Sequence, residues 1–140
     1  MRHTIFIFCT FLGLGCNNSK HVTASVHALD GHWIPVRQEI AGNSLLPAAF
    51  AKQQLIINDS NYTFAAESVD KGIANYKDGK MDIYGKVGVN SGKHFMANYK
   101  LENGHLTICY NLSGDRYPEG FETKGKRKYF LSEFMKGEMK

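Results

Sequence analysis

The pattern of apolar and polar positions changes twice along the chain. Thr4 to Leu14 (TIFIFCTFLGL) is an uncharged, largely apolar run, residues 17 to 28 (NNSKHVTASVHA) are mainly small and polar without a sustained period, and from Leu29 onward apolar and polar residues largely alternate. Alternation with period two marks strands that bury one face. It predicts strands at His32–Ile40, Gln53–Asn58, Tyr62–Glu67, Asp70–Tyr76, Met81–Val87, His94–Leu101, Leu106–Tyr110 and Arg127–Phe134. In the first of these, Ile34, Val36, Gln38 and Ile40 alternate against Trp33, Arg37 and Glu39. Pro35 cannot donate to a ladder, so it marks an unpaired edge or a bulge there. Asp78-Gly79 and Asn103-Gly104 are strong signals for tight hairpin turns. Asn43 to Lys52 is the helix-compatible stretch, with Ser44 as its cap and Pro47 keeping it short. Asn111 to Thr123 reads as a long irregular loop. About eight strands at regular spacing with one short helix define an all-β, antiparallel barrel or sandwich.

The first apolar run has a second meaning. Arg2 and His3 precede it, and Gly15-Cys16 follows it. The run is shorter than the roughly 20 residues of a membrane-spanning helix and has the layout of a signal peptide. A Cys directly after a small residue resembles the lipobox of bacterial lipoproteins, although Gly13 stands where that pattern usually has Leu. The resemblance implies cleavage after Gly15, acylation of Cys16 and attachment to a membrane of the bacterial cell envelope. The expected organisation is a signal peptide at 1–15, a lipidated tether at 16–28 and one domain at 29–140. Two or three acyl chains anchor stably where one does not.

Cysteine content follows from this processing. Cys9 is lost with the leader and Cys16 is the acylation site, so Cys109 has no partner for an intramolecular disulfide. Its surroundings, Leu-Thr-Ile-Cys-Tyr, suggest a small buried hydrophobe rather than a reactive thiol. Charge adds little: the formal +4 less Arg2 leaves +3. The basic run Lys124-Gly-Lys-Arg-Lys128 reads as a solvated turn, and no nucleic-acid partner is expected.

Four segments carry a resemblance to a known family: Leu29-Asp-Gly-His-Trp33; Leu46-Pro47 followed by Leu55 to Thr63 (LIINDSNYT); Tyr99 to Tyr110 (YKLENGHLTICY); and Arg116 to Thr123 (RYPEGFET). Their order and spacing resemble the small, uncharacterised lipocalin-like domain first described from Planctomycetes. The departures are an extra residue between Arg116 and Pro118 and the charged residues after Phe134. The resemblance implies a lipocalin-like barrel in which Trp33 closes one end and a basic residue of the last strand, Arg127 or Lys128, packs across its indole. It brings no catalytic residues.

No reaction chemistry assembles from the residues. His21, His27 and His32 cluster in sequence, but two of them lie in the tether, so no metal is expected. His94 and His105 flank a hairpin turn and could face each other, although surface histidines are the simpler reading. Asp78, Asp82, Glu102, Glu119 and Glu122 fall at turns and strand ends. Ser91 lacks the context of a nucleophile elbow. Strand aromatics remain, either filling a small barrel or lining its mouth. If a cavity exists, Phe64, Tyr84, Phe95, Tyr99 and Phe130 are the expected ligand-binding residues. The expectation is therefore a membrane-anchored envelope lipoprotein that binds a small apolar ligand without a cofactor. The alternative is a ligand-free interaction protein, with an enzyme the weakest reading.

Overall fold

The computed structural model describes residues 26–138, so the leader, Cys16 and most of the tether lie outside the described residues. A 3-10 turn, Val26–Leu29, leads into nine strands: β1 (Gly31–Ile40), β2 (Asn43–Ser44), β3 (Gln54–Asn58), β4 (Asn61–Ala65), β5 (Val69–Lys77), β6 (Lys80–Val87), β7 (His94–Glu102), β8 (His105–Asn111) and β9 (Tyr129–Lys136). All pairings are antiparallel, β3 to β9 follow in sequence order, and β1 pairs with both β3 and β9. That last pairing closes the sheet into an eight-stranded barrel, with the two-residue β2 appended to its edge. Of the all-β, antiparallel barrel or sandwich that the alternation allows, the fold is the barrel, and its architecture is consistent with the lipocalin-like barrel that the resemblance implies.

Two local expectations need correction. Asn43 to Lys52 forms β2 and a 3-10 turn at Pro47–Ala49 rather than a helix. Leu46 stands at its cap without a side-chain hydrogen bond, and Leu46 and Pro47 to Ala49 are all exposed, so neither capping nor an apolar face sustains more than one turn. The last strand begins at Tyr129, because the Lys126 amide donates to the Thr123 carbonyl and the Tyr129 amide to the Lys126 carbonyl. Those bonds fold residues 123–129 into turns.

Pro35 does sit at a bulge. The register of β1 against β9 runs Pro35 to Phe134 and then Arg37 to Glu133, so one extra residue lies in β1. Side-chain parity reverses there. Trp33 and Pro35 are buried before it, and Gln38 after it. The inward Gln38 amide donates to Ser132 Oγ at 3.2 Å and to Gln53, which satisfies a polar group only 2% exposed.

The main core lies inside the barrel and includes Trp33, Leu55, Ile57, Met81, Ile83, Ala97, Leu106, Ile108 and Phe134. A smaller apolar cluster lies outside the wall, where Cys109, Tyr129 and Leu131 pack with Phe121. Phe121 belongs to the long connection between β8 and β9. Hydrogen bonds strap that connection to the wall: Tyr117 donates to Asp82, Asn98 Nδ2 to the Pro118 carbonyl at 2.8 Å, and Thr123 Oγ1 to Glu39. Cys109 is fully buried beneath it, and burial, helped by the Glu39 carboxylate, pushes its thiol up to about 11. This environment fits the packing role expected for it.

Candidate ligand cavity

One end of the barrel is plugged. The Trp33 indole is 1% exposed, and its Nε1 donates to the Leu29 carbonyl at 2.8 Å, joining the first strand to the 3-10 turn. Lys136, paired with Trp33 across β1 and β9, places its ammonium 5.1 Å from the indole centre and donates to the Asp30 carbonyl at 2.6 Å. The role expected of Arg127 or Lys128 therefore belongs to Lys136. Arg127 is exposed in the turns before β9, and the antiparallel path brings the far end of that strand to Trp33. Gly31 leaves room for this contact. Its φ is +140°, and a Cβ there would stand 2.8 Å from Lys136 Nζ.

Away from the plug, the interior holds a cavity of about 200 Å³. Leu55, Ile57, Met81, Ile83 and Ile108 form its apolar wall, and Phe64, Phe95 and Phe130 add aromatic faces. Asn90, between β6 and β7, and Leu112, just after β8, also line it. These connections put its mouth at the end opposite Trp33.

The five aromatics named from the sequence separate into three groups. Phe64, Phe95 and Phe130 line the cavity. Tyr99 packs against the core but meets Tyr76 edge-on at 5.9 Å and does not line the cavity. It lies toward the plugged end, where the Tyr76 hydroxyl donates to the Asp59 carbonyl. Tyr84 is on the outer face. Met81, Ile83 and Gly85 take the inward parity of β6, while Tyr84 stacks on His94 with centroids 4.4 Å apart.

Asp70 and Tyr62 also line the cavity, with Tyr110 beside them, and the sequence reading named none of these as polar site groups. Asp70 is 5% exposed, and its Oδ1 accepts the Asn90 backbone N–H at 3.0 Å. Its signal was present: Asp70 has the same parity as the small inward residues Gly72 and Ala74. Burial raises the Tyr62 phenol above its ordinary range, with a further contribution from the Asp70 charge, and burial also raises Tyr110.

The outer wall carries other polar groups. A depression of about 390 Å³ is lined by Arg37, Lys100, Glu102, His105, Phe121 and Glu133 among others. Its polar groups engage one another: Arg37 pairs with Glu133, Lys100 with Glu102, and His105 is hydrogen-bonded to Glu133. His94 and His105 do not face each other. His94 bonds Asp82 at 2.7 Å and His105 bonds Glu133 at 2.6 Å, because they begin successive antiparallel strands and lie at opposite ends of the barrel. His27 meets Asp30 and Asp59, with ligand atoms within 4.8 Å of one another. Asp59 is far from His27 in sequence, so residue spacing did not reveal that grouping.

Comparisons with protein-family models, curated proteins and solved structures return no match for the chain.

Proposed function

We propose that this protein is a lipocalin-like binding module of the bacterial cell envelope, held to a membrane through Cys16 and receiving one small apolar ligand in its barrel. The observation that carries the ligand reading is the mainly apolar cavity of about 200 Å³ within a closed eight-stranded wall. A barrel of this strand number has room for its own side chains or for one small ligand. Here the side chains leave space, and a pocket with apolar walls and a few polar groups is the usual form of a small-molecule site. The outer depression supports ligand binding less well, since its charged groups already satisfy one another. The resemblance in the four sequence segments and the leader layout support the family and envelope parts of the reading. A non-catalytic role follows from the same reading.

The decisive experiment displaces an environment-sensitive dye with small neutral hydrocarbons. Saturable, competitive binding is expected, and Phe95→Asp should abolish it by placing a charge in the apolar wall. If no apolar probe binds saturably, the ligand reading fails and a ligand-free interaction protein takes its place. The anchor is tested separately. Cys16→Ser should prevent acyl labelling and release the protein from membranes, and unchanged labelling would refute the lipidation site.

A further inference from the structure

We propose that the barrel cavity selects a small amine or ammonium compound with an apolar body of about one ring, an inference that rests on the ligand reading above. Charge comes first. Asp70 is 5% exposed, lines an otherwise largely apolar cavity, and forms no ion pair among the described residues. A buried carboxylate without a countercharge is costly, and one backbone N–H only partly offsets the lost water. A ligand ammonium would supply the missing charge and donate to the carboxylate. Among the described residues lining the cavity there is no Lys, Arg or His, so a fatty-acid carboxylate would meet Asp70 with like charge and no cationic partner.

The surrounding surfaces favour the same ligand. Phe64, Phe95, Phe130 and Tyr62 offer ring surfaces to the cavity. The negative faces of aromatic rings attract cations as well as apolar groups. Across β4 and β5, Asp70 pairs directly with Phe64 and Tyr62 with Gly72, which sets the carboxylate beside two of these rings. Size then sets an upper limit. An apolar cavity of about 150 Å³ accepts benzene. The cavity of about 200 Å³ therefore suits one ring with a short substituent, rather than a long acyl chain.

Three one-ring probes test the inference, titrated calorimetrically into the full chain: phenethylamine and n-propylbenzene, which are nearly equal in shape, and the slightly larger anion 3-phenylpropionate. Phenethylamine should bind on the order of tenfold more tightly than n-propylbenzene, the discrimination available from a charge-assisted hydrogen bond, and 3-phenylpropionate most weakly. Asp70→Asn keeps an acceptor for Asn90 and should erase the preference for the amine while leaving n-propylbenzene binding unchanged. If n-propylbenzene or 3-phenylpropionate binds as tightly as the amine, or if Asp70→Asn leaves the preference intact, the amine assignment is overturned while the apolar site stands. If none of the three binds, both readings fall. Should Asp70→Asn fail to fold, the ranking of the probes on the unaltered chain decides by itself.

Discussion

Trp33 combines a buried ring, a hydrogen bond to the Leu29 carbonyl and a cation over its face. Trp33→Ala is expected to cost about 3–5 kcal/mol, the range for truncating a large buried side chain, as read from urea unfolding followed by circular dichroism. Lys136→Met should cost less, about 0.5–2 kcal/mol for the cation–π contact, and should not disturb the cavity. Cys109 gives a pH test. Its folded thiol is held at about 11 against an ordinary value of 9.0. The unfolded thiol loses its proton first as pH rises, and that ionisation favours the unfolded chain. Stability should therefore be unaffected by this group below pH 9 and fall between pH 9 and 11, with Cys109→Ser showing a shallower decline. Native Cys109 should also resist alkylation near neutral pH and react on denaturation. Residue roles were legible where a local pattern carried them, as with Trp33 and the packing of Cys109. Lys136 was not legible, because finding the residue opposite Trp33 requires the register of β1 against β9. Asp70 was missed because a lone acid at a strand start resembles a solvated end until the barrel closes around it.

The hairpin turns at Asp78-Gly79 and Asn103-Gly104 are the elements most directly written in the sequence. Asn103 and Gly104 have φ of +52° and +77°, and Asp78 and Gly79 have +52° and +76°, the left-handed pair of a type I′ turn. A Cβ at Gly104 would meet nothing within 4 Å, so substitution there isolates backbone strain. Gly104→Val should destabilise the protein by about 1–2 kcal/mol without changing ligand affinity, measured by thermal unfolding and dye binding on one preparation. Strand positions were legible for a similar reason: alternation and turn residues are local signals. The inward face of each strand was less so. In β6, Tyr84 and Ile83 are both bulky and compatible with burial, and only pairing with β5 and β7 settles which faces the core. In β1 the bulge reverses parity midway, so no constant alternation describes the whole strand. The connection from Leu112 to Lys128 has polar and apolar residues without a period because its side chains act individually, Leu112 at the cavity and Tyr117, Phe121 and Thr123 on the outer wall.

At the scale of the whole molecule, closure joins the first long strand to the last. The β1–β9 pairing runs from Trp33 with Lys136 to Ile40 with Phe130, so the barrel cannot close until nearly all of the described chain is in place. Such non-local topologies fold on the order of milliseconds to seconds. Refolding followed through Trp33, the single tryptophan, should show its main fluorescence change in that range and together with the gain of strand signal. A Trp33 change much faster than the strand signal would show that the plug forms ahead of the wall. The closed floor also gives the molecule a direction. The polypeptide reaches the barrel through the 3-10 turn beside Trp33, whereas Asn90 and Leu112 mark the opening at the other pole. In the mooring proposed through Cys16, the chain would join the barrel at this plugged floor, the pole opposite the opening. Attachment and guest would then occupy opposite poles of the barrel, and neither would obstruct the other.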